Sequence, residues 1–91
     1  MHQYIISLQM NKIDQNLNSL NEAIKSLGSW VKIQKTLWFV TTDKTADQTR
    51  ECLDQYVDPY DLIFVAEIKK DADCSWRLHP DVNSYLLDAR K

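Results

Sequence analysis

Chemically reactive side chains are few in this sequence and form no obvious cluster. His2 and His79 lie near opposite ends of the chain and lack the close spacing of metal-ligand pairs, so we expect surface or capping roles for them. The segment Asp71–Cys74 holds two acids and a thiol, but a solvated polar loop is the simpler interpretation. Ser7 has no base assigned to it, and a serine needs one to act as a nucleophile. These patterns predict neither a metal site nor a cofactor.

Basic residues offer a second kind of site. Lys12, Lys32 and Lys35 could form a small edge that contacts phosphate, although solvated surface charge is the simpler interpretation. The chain has 11 basic and 13 acidic residues and a pI near 5.5, which argues against a dedicated nucleic-acid binder. The three tryptophans lack interleaved arginines, apart from the pair Trp76–Arg77, and are interpreted as core or interface anchors.

The length and composition are those of one small folded domain. The chain has 91 residues with a single glycine and two prolines, which excludes a disordered sequence. Cys52 falls in an apparent helix and Cys74 in a polar tail, and no secretory leader is visible, so we expect two free thiols in a reducing cytoplasm. No apolar run approaches the roughly 18–20 residues that span a bilayer, so no membrane contact is predicted.

The first half of the chain predicts a strand, a helix and a hairpin. Apolar residues alternate with polar ones over His2–Met10, which is the period of a strand with one buried face. A stripe at helical spacing predicts a helix over Gln15–Leu27, with Asp14 as its N-cap and Gly28 as its left-handed C-cap. The aromatic and β-branched segments 29–33 and 37–42 predict two strands joined by a short polar turn.

The second half predicts a helix, a strand and a tail. Thr45 and Gln48 match a capping box that opens a helix running to about Tyr56. The turn residues of segment 58–61 precede a nearly continuous apolar strand over Leu62–Ile68, a pattern typical of burial on both faces. After a polar stretch, Pro80 is expected to begin a short amphipathic helix over Asp81–Ala89.

This order of elements predicts an α+β, ferredoxin-like βαββαβ fold. Right-handed crossovers give a four-stranded antiparallel sheet with the first strand central and two helices on one face. We assign residues 1–70 to this core and residues 71–91 to a C-terminal tail with a short helix, within one domain.

Two helices cover only one face of such a sheet, so the other face must be covered differently. Alternate side chains of a strand point to opposite faces, so the third strand would contribute either Leu37 and Phe39 or Trp38 and Val40 to the open face. The fourth strand would contribute Ile63 and Val65, or else Leu62, Phe64 and Ala66. A face-to-face homodimer is the favoured interpretation, and cover by the protein's own tail is the alternative. The residues assigned to the interface are Ile5, Trp38, Val40, Ile63, Val65 and Trp76.

Four stretches of the sequence carry a family resemblance. They are M-H-x-Y-x-x-S-L-x-M-N-K at the start, L-x-x-A-I-K-S-L-G-S-W, T-L-W-F-V-T-T-D-K-T, and S-W-R-L-H-P-D-V-N-S-Y-L-L in the tail. In this order they resemble SinR-like proteins, relatives of the small CRISPR-associated nuclease that partners the spacer integrase. The resemblance implies a ferredoxin-like protomer that dimerises through its open sheet face, often with the tail crossing to the partner.

The resemblance also implies where a metal would bind. In members that cut nucleic acid, an aspartate at the end of the first strand holds a divalent ion, and that position matches Gln9 here. A neutral amide lacks the charge by which carboxylates hold hard cations. We therefore expect a non-catalytic homodimeric module that binds a protein or nucleic acid in a prokaryotic or phage defence setting. The alternative is a metal-dependent endonuclease whose acid has moved elsewhere, with Asp14 and Asp43 as candidates.

Overall fold

The computed structural model describes residues 1–11 and 17–90, and its elements follow the predicted order. The strands are β1 (His2–Gln9), β2 (Ser29–Gln34), β3 (Leu37–Thr42) and β4 (Leu62–Glu67), and the helices are α1 (Leu17–Lys25), α2 (Ala46–Asp54) and α3 (Pro80–Ala89). The four strands form one antiparallel sheet in the order β2-β3-β1-β4. The ferredoxin-like α+β fold and the central position of the first strand are therefore confirmed.

The register of the sheet determines which side chains face α1 and α2. Tyr4 lies opposite Val40 and Ile6 lies opposite Trp38, so these four side chains point to the same face. Leu20 and Ile24 of α1 and Leu53 of α2 pack against that face, and all seven residues are at most 1% exposed. Ile63 and Val65 are partly buried against the same core.

This register corrects part of the predicted interface. Trp38 and Val40 lie in the core beneath the two helices, so neither can belong to an interface on the open face. Ile63 and Val65 belong to the same helix-covered face, because they pair with Leu8 and Ile6. The open face instead carries the alternate side chains of these strands, including Phe39 and Phe64.

Local signals at the helix ends are partly confirmed. The capping box of α2 is present, because the Gln48 amide N–H donates to Thr45 Oγ1 at 3.1 Å and the Thr45 N–H donates to Gln48 Oε1 at 3.0 Å. Pro80 is the first residue of α3, and its missing N–H removes no helical hydrogen bond there. The predicted N-cap Asp14 lies outside the described residues.

Gly28 is needed for a different reason from the one that its sequence position predicts. Helix α1 ends at Lys25, and Gly28 has a φ of 158°, far from the left-handed value of about +57° expected of a C-cap. The residue lies directly before β2, where its backbone approaches β3. A Cβ atom at this position would lie within 3.0 Å of the Thr41 carbonyl oxygen, a separation that real Cβ atoms essentially never show.

The tail covers the part of the open face beside β2 and β3 with a second, smaller core. Phe39 of β3 is 1% exposed and Leu86 of α3 is 4% exposed, and the ring of Tyr85 meets Phe39 edge-on with 6.5 Å between centroids. The Trp76 indole N–H donates to Asn83 Oδ1 at 2.7 Å, which fixes the incoming segment to α3. Intramolecular cover, the alternative interpretation, therefore holds for the part of the face beside β2 and β3.

Arg90, at the end of α3, makes hydrogen bonds to the segment where the tail begins. Its guanidinium donates to the carbonyl oxygens of Lys69 at 3.2 Å and Ala72 at 3.0 Å, and to Gln3 Oε1 at 3.1 Å. The Gln3 amide in turn donates to the carbonyl oxygen of Ala89 at 2.6 Å. The end of α3 is thereby attached to both β1 and the segment that follows β4.

Candidate functional site

The fold leaves an apolar strip on β4 uncovered. Leu62 is 59% exposed and Phe64 is 66% exposed, and both point to the open face; we call this pair the β4 strip. β4 is an edge strand, so the tail, which packs beside β2 and β3, does not shield it. The predicted burial of this strand on both faces is wrong for the single chain, because the face opposite the helices has no cover here.

The neighbouring strand gives the β4 strip no apolar cover. Leu62 lies opposite Gln9 and Phe64 lies opposite Ser7, so two polar side chains border the strip on β1. Ile5, the next residue along β1 on this face, is partly buried and lines the cleft under the tail. Ile5 and Trp76 therefore belong to the border between the tail and the open face, as Trp76 also lines that cleft.

Gln9 is exposed at the end of β1, and the structure places a carboxylate near it that the sequence did not single out. Asp61 is 8% exposed, and its Oδ1 accepts from the Asn11 N–H at 2.7 Å. Its Oδ2 accepts from the Asp58 N–H at 2.9 Å, which closes the predicted turn before β4. The carboxylate thus connects the end of β1 to the start of β4 by backbone hydrogen bonds, and its signal in the sequence was only that of a turn residue.

Of the two predicted replacement acids, Asp43 lies far from Gln9. Asp43 follows β3, whose last residue Thr42 pairs with His2, so it lies at the opposite end of β1. Eight strand residues separate the two ends by roughly 25 Å. Asp14 lies outside the described residues, as does Lys12. Residues 1–11 and 17–90 contain no group of three or more His, Cys, Asp or Glu side chains arranged to hold a metal ion.

A polar cluster at the other end of the sheet is satisfied internally. His2 Nδ1 lies 2.7 Å from Glu67 Oε2, and the Lys69 ammonium donates to Glu67 Oε1 at 3.2 Å. The hydrogen bond from His2, followed by that from Lys69, lowers the pKa of Glu67. Burial and, to a lesser degree, the charge of Glu67 raise the pKa of Tyr4, whose hydroxyl donates to the Lys44 carbonyl at 2.7 Å. These groups stabilise the sheet end rather than forming a reactive site.

The predicted basic edge is divided by the fold. Lys32 pairs with Trp38 and lies on the helix-covered side, where its ammonium is 5.4 Å from the centre of the Trp38 ring. Lys35 lies in the turn between β2 and β3 and lines a different groove, together with Arg77 and His79. The sequence reasoning missed this grouping, because the tail returns to the hairpin only in three dimensions.

Comparison with known proteins identifies no relative. No family model, no curated protein and no solved structure matches this chain. Within the described ranges, none of the helices has the length and apolar character required to cross a bilayer. The site must therefore be interpreted from its own geometry.

Proposed function

We propose that this chain is a non-catalytic, self-associating module of the cytoplasm that binds a protein or nucleic-acid partner in a prokaryotic or phage defence setting. The observation that carries the proposal is the β4 strip, in which two large apolar side chains lie side by side on an edge strand. Apolar surface of this kind marks an interaction site when it is contiguous. The resemblance to SinR-like proteins supports a twofold assembly through the open face.

A homodimer gives the β4 strip an apolar partner without any further component. In a twofold interface the same patch meets itself, so Phe64 and Leu62 of one protomer can cover those of the other. The strip carries no charge of its own, and its neighbours on β1, Ser7 and Gln9, are neutral. No like-charge repulsion therefore opposes the approach of a second copy at this point.

The variant Phe64→Lys should convert the homodimer to a monomer. In a dimer, the lysine at position 64 would be buried without a charged partner. This costs several kcal/mol, which is enough to disrupt a small interface. Light scattering should give about twice 10.7 kDa for the wild type and 10.7 kDa for the variant. Tyr60→Lys is the matched control, because Tyr60 is 76% exposed in the turn before β4 and should leave the mass unchanged. A wild-type monomer at tens of micromolar would refute self-association.

A metal-dependent endonuclease is the second candidate function. It is favoured by Asp61, the carboxylate that the fold brings to the same end of β1 as Gln9. Both oxygens of Asp61 already accept backbone hydrogen bonds, so a metal would compete with contacts that hold the turn. For this reason we place the non-catalytic function first.

Gln9→Asp should create a weak metal site where the wild type has none. Two carboxylates facing each other across a dimer axis repel until a divalent ion lies between them, and glutamine removes both the repulsion and the ligand charge. Manganese should raise the melting temperature of the variant, whereas manganese and EDTA should leave that of the wild type unchanged. Metal-dependent cleavage of RNA or DNA by the wild type, abolished in Asp14→Asn, Asp43→Asn or Asp61→Asn, would establish the nuclease instead.

A further inference from the structure

A groove of about 580 Å³ lies where the turn between β2 and β3 meets the start of α3. Three basic residues line it, one from the hairpin and two from the tail, and the apolar side chains of Ile33 and Leu78 lie between them. The basic residues are Lys35, Arg77 and His79, all exposed. No acidic residue is among those described that line the groove.

The polar groups of these three side chains have no partner among the described residues. Neither an ion pair nor a side-chain hydrogen bond joins Lys35, Arg77 or His79 to another residue of the described ranges. Some other cations of the described ranges do form ion pairs, as Arg50 does with Asp54 and Lys69 with Glu67. The groove therefore carries the positive charges of Lys35 and Arg77 beside the His79 imidazole, with no acidic side chain in its described lining, so its local potential is positive.

The donor set suits a phosphate better than a carboxylate. An arginine guanidinium can bind two oxygens at once, a lysine acts as a point charge, and an imidazole N–H supplies a third donor. A carboxylate has only two oxygens in one plane, and arginine alone satisfies both, whereas a phosphate presents three or more around a tetrahedron. We propose that Lys35, Arg77 and His79 form a binding site for a phosphate group carried by a nucleotide or by a single-stranded nucleic-acid backbone.

The apolar part of the groove fits the rest of such a ligand. Ile33 and Leu78 are partly buried and can contact a sugar or a base beside the charged group. This site would supply the nucleic-acid-binding part of the function proposed above, and it rests on that part alone. The groove borders β2, at the opposite edge of the sheet from the β4 strip, so self-association and phosphate binding can fail separately.

The test measures binding of a fluorescein-labelled 12-nucleotide oligo(dT) by fluorescence anisotropy at low salt, with ATP as the second ligand. Lys35→Ala and Arg77→Ala should each weaken binding by about fivefold, a value suited to exposed charge-assisted contacts. Each should also reduce the slope of log affinity against log salt by about 0.7 if oligo(dT) binds through its backbone. Lys70→Ala, which removes an equal charge from an exposed position after β4 that does not line the groove, should change neither quantity.

The two ligands distinguish the source of the phosphate. If ATP displaces oligo(dT) and shifts the amide resonances of residues 33–36 and 77–80, the site accepts a free nucleotide. If only oligo(dT) binds, and the groove variants weaken it, the site accepts the polynucleotide backbone. Absence of binding by both ligands, or equal weakening by Lys70→Ala and the groove variants, would overturn the proposal. Circular dichroism spectra matching the wild type show that the variants remain folded.

Discussion

Gly28→Ala should destabilise the protein by about 3 kcal/mol, the upper end of the usual cost of overpacking. The new Cβ would meet the Thr41 carbonyl oxygen, which is backbone and cannot turn aside as a flexible side chain could. Relief would require β2 to move away from β3 where Ser29 pairs with Thr41. A domain of 91 residues has a total stability of about 5–14 kcal/mol, so this loss is a large fraction of it.

Urea denaturation followed by circular dichroism would measure the effect. The control is Ser19→Ala, an exposed position on α1 where the substitution adds no Cβ atom. The control should change the free energy of unfolding by less than about 0.5 kcal/mol. Equal stabilities for Gly28→Ala and the control would show that β2 does not approach β3 as closely as described.

Leu86→Ala should destabilise the protein by about 2–5 kcal/mol, because it removes a buried side chain from the core between α3 and the sheet. Leu86 is 4% exposed, whereas its neighbour Leu87 is 53% exposed on the same helix. The two substitutions have the same cost in helix propensity, so their difference isolates burial. Leu87→Ala should therefore cost less than about 1 kcal/mol in the same denaturation experiment.

The difference between Leu86→Ala and Leu87→Ala tests whether the tail packs on its own protomer. Deletion of residues 73–91 should lower the melting temperature clearly or make the protein insoluble, since it uncovers Phe39. Equal effects of Leu86→Ala and Leu87→Ala would show that α3 is not docked in the orientation described. An unchanged melt after the deletion would show that the tail packs on nothing.

The sequence predicted the elements because their signals are local. The alternation in the first strand, the capping box at Thr45 and Pro80 at a helix start each depend on a few consecutive residues. The phase of β3 could not be predicted in this way, because L-W-F-V is apolar at every position and has no period. Only pairing with β1, which sets Ile6 opposite Trp38, determines which side chains face the helices.

The candidate sites were hidden for a related physical reason. Gln3 contacts Ala89 and Arg90, and Lys35 shares a groove with Arg77, but no short-range pattern in the sequence encodes contacts over such separations. Exposure of Phe64 likewise depends on where the tail stops covering the sheet. An apolar strand indicates that its side chains are buried in the final assembly. It does not specify which other segment or molecule buries them.

The central position of β1 has a consequence for how the chain folds as it is synthesised. β1 needs residues 37–42 on one side and residues 62–67 on the other, so it leaves the ribosome well before either neighbour is complete. Tyr4, Ile6 and Leu8 remain without a core during that interval, because long-range strand pairing must wait for the intervening chain. Of the four strands, β1 is thus synthesised first and gains its second neighbour only with β4, so its core-facing side chains wait longest for cover.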